Sequence, residues 1–112
     1  MAKVIITEGL KNKILKEFKQ ESKKIFRFMR SLEDNPKKGK PLGRFRGIVI
    51  KELRYKTYRF YFVADSYKLK VLRVDELRNL IIKFVRISDK KSQQKVINEI
   101  KDILRKLGSE SF

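Results

Sequence analysis

The chain has 112 residues, with 30 Lys and Arg against 13 Asp and Glu, a net charge of +17, and 41% hydrophobic residues. That is one domain, residues 1–112, with enough apolar material for a core. It has no Cys and no His, which removes disulfides, thiolate nucleophiles, Cys- or His-ligated metals and every histidine-based triad or acid–base pair.

No apolar run approaches the roughly 18 residues of a membrane span. The N-terminal MAKVIITEGLK holds only the short run VII, too short for a signal peptide. The expected location is the cytoplasm. So large a positive charge repels itself in a compact chain, which points to polyanionic partners: RNA, DNA, a ribosome or an acidic protein. The plainer reading is a Lys-rich surface that serves solubility alone.

In chain order, KVIIT (3–7) reads as a short strand. Leu10, Ile14 and Phe18 then recur at helical spacing, as do Ile25, Met29 and Leu32. The polar KQES (19–22) between these stripes favours two helices, 8–18 and 22–33, folded as a hairpin over one kinked helix. Glu33-Asp34-Asn35-Pro36 stops the second helix. The segment 37–47, KKGKPLGRFRG, reads as a basic loop.

From Ile48 the period changes. The segments 48–55, 58–65, 68–74 and 80–87 are rich in β-branched and aromatic residues and read as a four-stranded antiparallel meander. The first strand could pair with it and close an edge. Val96, Ile97, Ile100, Ile103, Leu104 and Leu107 mark a final helix over about 90–107, capped by Ser88 or Asp89 and stopped by Gly108. The SESF tail is expected to fray. The expected fold is α+β: an N-terminal helical hairpin and a C-terminal helix packed on a twisted antiparallel sheet.

If Lys56-Thr57 is a two-residue turn, Arg54 lies opposite Arg59 and Glu52 opposite Tyr61, and paired residues share a face. One face then carries Val49, Leu53, Tyr55, Tyr58, Phe60 and Phe62, with Lys51 the one charged exception. That is a core face. The other carries Ile48, Ile50, Glu52, Arg54, Arg59, Tyr61 and Val63 and is expected to be at least partly open to solvent.

The cluster on that second face has the parts needed to cut RNA with its own 2′-OH. Glu52 or Tyr61 could take or orient the 2′ proton, and fixed guanidinium groups stabilise a phosphorane-like transition state. The structural alternative is an ion-pair network of Glu52 with Arg54 and Arg59 that only supports the sheet. Lys83 and Arg86, with Lys90 and Lys91 opening the last helix, form a second basic group. That group is either an anion site or a solvated helix start.

The order of strand, helical hairpin, basic Pro/Gly loop and meander resembles the RelE/ParE superfamily of toxin–antitoxin toxins. The matching segments are SLEDNPKKGKPL (31–42), KELR (51–54) and YRFYFV (58–63). In addition, KFVRISDKKSQQKVINEI (83–100) is similar to the phage-derived, HigB-like branch. The resemblance spans about residues 3–107. It implies a RelE-like fold and a cytosolic, metal-independent mRNA endoribonuclease without cofactors. Such an enzyme acts in the ribosomal A site and is silenced by an antitoxin, expected here to be acidic. Any oligomer would form only through that antitoxin.

By position, the resemblance makes Arg59 the contact to the scissile phosphate and Arg54 the basic residue of the preceding strand. Glu52 is the carboxylate used by some branches, and Arg86 or Lys83 belongs to the basic pair near the last strand's end. Lys37, Lys38, Lys40, Arg44 and Arg46 would dock on RNA backbone. Two departures stand out. The segment SYKLKVLRVDELRNL is longer than usual, and only Ile87 and Ser88 occupy the place of a last-strand catalytic Tyr or His. A non-catalytic nucleic-acid-binding protein on the same fold is the alternative. An inhibitor of a protein target such as gyrase is a third reading, and it would need an exposed apolar patch.

Overall fold

The chain folds in the order β1 (Lys3–Ile6), α1 (Glu8–Phe18), α2 (Ser22–Arg30), β2 (Lys40–Phe45), β3 (Ile48–Tyr55), β4 (Tyr58–Asp65), α3 (Ser66–Val71), β5 (Ile81–Asp89) and α4 (Gln93–Leu107). The structure, a computed structural model, describes residues 1–107. Gly108 and the SESF tail lie outside the described residues. Among the described residues, no helix is long and apolar enough to cross a membrane.

The five strands form one sheet in the order β1-β5-β4-β3-β2. β1 runs parallel to β5 and every other pair is antiparallel. The protein is therefore α+β with a mixed sheet, not the fully antiparallel one expected. A parallel neighbour needs a crossover, and here α1 and α2 carry the chain across one face before β2 begins at the far edge. The outer edge of β1 is closed by the end of the helical region. The Val4 amide donates to Glu33 Oε2 (3.1 Å) and Arg30 Nη1 donates to the Val4 carbonyl (3.2 Å), which blocks pairing with another chain.

The two N-terminal helices are separate. Lys19 takes a left-handed φ of +51°, and the buried Ser22 hydroxyl donates back to the Ile14 carbonyl (3.1 Å), tying the start of α2 to α1. Glu21, in the turn between the helices, accepts from both Tyr55 Oη and Lys56 Nζ at 2.6 Å. It thereby ties the helices to the β3–β4 turn. The Lys56 hydrogen bond and then the Tyr55 one hold the Glu21 carboxyl below its usual range.

Three expectations give way. First, 37–47 is not a loop throughout, since β2 forms within it and pairs with β3. Its Pro and Gly hide the strand signal, and an edge strand tolerates both, here with a register shift between Pro41 and Gly43. The Arg46-Gly47 turn has φ of +50° and +80°, the pattern of a tight type I′ hairpin. Second, 68–74 is not a strand. Asp65 accepts the Lys68 amide (3.0 Å) and starts α3. β3 and β5 already occupy both sides of β4, so the segment serves only as the connection.

Third, helices lie on both faces. Ile14, Ile25, Met29 and Leu32 pack with Val49, Leu53, Phe60, Phe62 and Phe84 on the first face. On the second face Val96, Ile97, Ile100 and Leu104 of α4 pack with Ile50, Tyr61, Val63 and Val85. That second face was expected to stay partly open. The helix α4 covers it because its own apolar stripe has no other surface to bury against.

Candidate functional site

The Lys56-Thr57 turn sets the expected register: Glu52 pairs with Tyr61, Arg54 with Arg59 and Tyr55 with Tyr58. Two rows of side chains follow on the second face. Lys40, Glu52, Tyr61 and Arg86 are successive partners across four strands. Arg54, Arg59 and Ser88 form the next row, at the end of the sheet.

Glu52 and Arg59 are buried, and Arg54 is not: its side chain is 59% exposed. Glu52 Oε2 lies 3.1 Å from Arg59 Nε and accepts from Gln93 Nε2 at 3.3 Å, while Oε1 is 3.9 Å from Arg54 Nη2. The Arg59 Nε is buried without a hydrogen bond, so the close pair is held by charge and not by an aligned N–H. Burying both ions is sustainable because each neutralises the other.

Tyr61 is wholly enclosed, with its hydroxyl 2.7 Å from Ser88 Oγ. Ser88 donates onward to the Asp89 carbonyl (2.8 Å), so in this arrangement Tyr61 is the donor to Ser88. Burial pushes the Tyr61 phenol above its ordinary value. The nearby Glu52 charge adds to that shift. Ile87, the other residue considered at the end of the last strand, turns to the first-face core. Arg86 is paired with Glu99 of α4, and its Nη1 donates to the Val85 carbonyl (2.8 Å).

The basic residues divide by position. The Lys37 carbonyl accepts from the buried Lys51 Nζ at 2.9 Å, and Lys38 Nζ stands 5.2 Å from the centroid of the Phe28 ring. Lys40 opens β2 opposite Glu52. Lys90 and Lys91 lie in the turn after β5, not at the opening of a helix. There Asp89 Oδ1 accepts the Ser92 amide (3.0 Å), and α4 starts at Gln93. That amide, more than any other group, holds the Asp89 carboxyl below its usual range. Lys38, Lys40, Arg54, Arg59, Lys90 and Lys91 thus share one end of the sheet.

Arg44 and Arg46 stand at the other end of the β2–β3 hairpin, near Val49 and Ile48. That is about 17 Å along the strand from Arg54, at roughly 3.3 Å per residue. Lys83 also sits in the other half, opposite Ile5 and Val63. Among the described residues, Lys37, Lys38, Lys40, Arg44 and Arg46 form no ion pair with a carboxylate. No group of three carboxylates able to hold a metal occurs among those residues either.

Two concavities are lined by residues of these rows. One, about 600 Å³, is bounded by Phe28, Lys38, Lys40, Glu52 and Arg54. The other, about 520 Å³, is bounded by Tyr58, Arg86, Ser88, Asp89 and the first turns of α4. Phe28, Gln93 and Glu99 were not identified from sequence. Phe28 reads as one more core aromatic, and the helix residues reach the site only because α4 lies on this face. Comparison with family models, with curated proteins and with solved structures found no match.

Proposed function

We propose that the protein is a toxin of a type II toxin–antitoxin system on a RelE-like fold, cutting mRNA on the ribosome without a metal. The observation that supports this most is the asymmetry of the Glu52 cluster. Arg59 is buried with Glu52, while Arg54 projects into a concavity rimmed by Lys38 and Lys40. A scissile phosphate would rest on the exposed Arg54 guanidinium. The 2′ oxygen attacks phosphorus, its proton passes to Glu52, and the P–O5′ bond breaks. The 5′ oxygen takes a proton from solvent, leaving a cyclic 2′,3′-phosphate and a free 5′-OH. Arg59 keeps Glu52 in place and shares the developing charge.

The partners in this reading are mRNA, the ribosome and an acidic antitoxin. The second sheet face has an apolar groove of about 430 Å³ beside α3. Ile5, Ile48, Val63 and Ile81 line it, with Lys68, Lys83 and Asp65 at its rim. Ile5 is 42% and Ile81 50% exposed. Exposed apolar surface with a mostly basic rim suits an acidic, amphipathic antitoxin segment.

The second reading, a nucleic-acid-binding protein without cleavage, is favoured by one observation. Glu52 is already engaged by Arg59 and Gln93, as a purely structural carboxylate would be.

The test is expression in a translating extract with mapping of mRNA 5′ ends. Wild type should produce in-frame cuts. Arg54→Ala should lower cutting by about 100- to 1,000-fold, the usual loss for one transition-state donor. Its stability should stay within about 0.5 kcal/mol of wild type, as for an exposed side chain. Intact mRNA beside a folded, RNA-binding protein would leave the binding reading.

A further inference from the structure

We infer that the concavity between the end of α2 and the edge of β3 is a nucleobase subsite, in which one unpaired base of single-stranded RNA stacks on Phe28. The inference rests on the RNA reading above and adds to it the part of RNA that is held there. β2 begins at Lys40 opposite Glu52, so Leu53, Arg54 and Tyr55 have no strand beyond them on that side. This leaves a notch of about 600 Å³ with Leu53 and the half-buried Phe28 in its wall. Phe60, Phe62 and Phe84 are fully enclosed in the same core, whereas Phe28 borders this opening.

The rim of the notch is prearranged. Gly39 has φ of +107°, and a Cβ there would come within 2.7 Å of the Phe62 ring, so only glycine fits. The Lys38 amide donates to the Asn35 carbonyl (3.1 Å), and buried Lys51 holds the Lys37 carbonyl from below. Lys38 and Lys40 are therefore mounted on a fixed turn on either side of Gly39. Neither pairs with a carboxylate among the described residues, and the acid at the notch, Glu52, is held by Arg59 at 3.1 Å.

A half-exposed ring beside unneutralised cations binds single strands without sequence preference. The base stacks, and the cations take the backbone on each side of it. The Lys38 ammonium now over the Phe28 ring would move onto that backbone when a base arrives.

The test titrates the full chain into a short unstructured RNA carrying one 2-aminopurine, over a series of salt concentrations. Wild type should quench the probe. Phe28→Leu should bind about 5- to 100-fold more weakly, lose the quenching and keep the salt slope. Phe28→Tyr should behave as wild type. Lys38→Ala should keep the quenching and lower the salt slope by about 0.7.

Photocrosslinking of wild type to RNA containing 5-iodouridine, with the adduct located by mass spectrometry, is independent of whether any variant folds. An adduct at Phe28 supports the subsite. Salt-dependent binding with no adduct there, or with Phe28→Leu unchanged, overturns the subsite and leaves the RNA reading standing. No RNA binding by wild type overturns both.

Discussion

The two faces of the sheet solve the same burial problem with different chemistry. The first, under α1 and α2, is a continuous apolar core interrupted by one lysine, Lys51. The second is divided along its length. One part packs apolar residues under α4, and the end of the sheet carries Glu52, Arg54 and Arg59. A lone buried cation on the first face is met by one carbonyl and the face of the Phe62 ring. The buried ions on the second are met by each other, with the exposed Arg54 beside them. Charge retained at the edge of a core, where an apolar residue would pack as well, points to use and not to stability alone.

The largest expected effect comes from breaking the buried pair. Arg59→Ala should lower stability by about 3–5 kcal/mol, because Glu52 is left charged and enclosed. Urea unfolding of Glu52→Met/Arg59→Met should recover most of that loss. If the double variant is no more stable than Arg59→Ala, the cluster does not behave as a coupled pair.

Next in size are matched truncations of the two cores. Ile14→Ala and Ile100→Ala each remove a fully buried side chain and should cost about 2–5 kcal/mol. Only Ile100→Ala loosens the helix over the second face. Peptide mapping after treatment with a tyrosine-nitrating reagent should therefore find Tyr61 modified in that variant and protected in Ile14→Ala. Equal protection in both would mean that α4 does not gate access to the cluster.

The smallest effect concerns Lys51. Burial lowers its ammonium pKa below the ordinary 10.5. The unfolded chain thus binds more protons between the two values, and this group's contribution to stability rises with pH across that window. Lys51→Met should be more stable than wild type at neutral pH by up to about 1 kcal/mol. The advantage should shrink as pH climbs toward 10.5. Reading the difference between the two proteins is essential. Tyr55, Tyr61 and Lys56 all have raised pKa values and make stability fall with pH in the same alkaline range. A constant gap from pH 7 to 10 would show that Lys51 is charged at no cost.

Much of the site could be read in advance because it depends on one short hairpin. Two strands joined by Lys56-Thr57 place Arg54 against Arg59 and Glu52 against Tyr61, and side-chain alternation then assigns faces. How enclosed those residues are was not legible. Strand alternation puts Tyr61 on a face expected to be partly open, yet it is enclosed, and Gln93 reaches Glu52 across 41 positions. By sequence, Lys37, Lys38, Lys40, Arg44 and Arg46 belong to one basic segment. The hairpin within it sends Lys38 and Lys40 to one end of the sheet and Arg44 and Arg46 to the other.

Local patterns determined the α+β class, the break between the first two helices, the limits of β3 and β4 and their register, since each depends on a window of a few residues. Tertiary structure alone decided that β1 joins β5 in parallel, that Pro41 and Gly43 belong to an edge strand, and that 66–71 becomes α3. It also placed α4 over the charged face. Those outcomes turn on which surfaces remain unburied once the other elements are in place, and no local window contains that information.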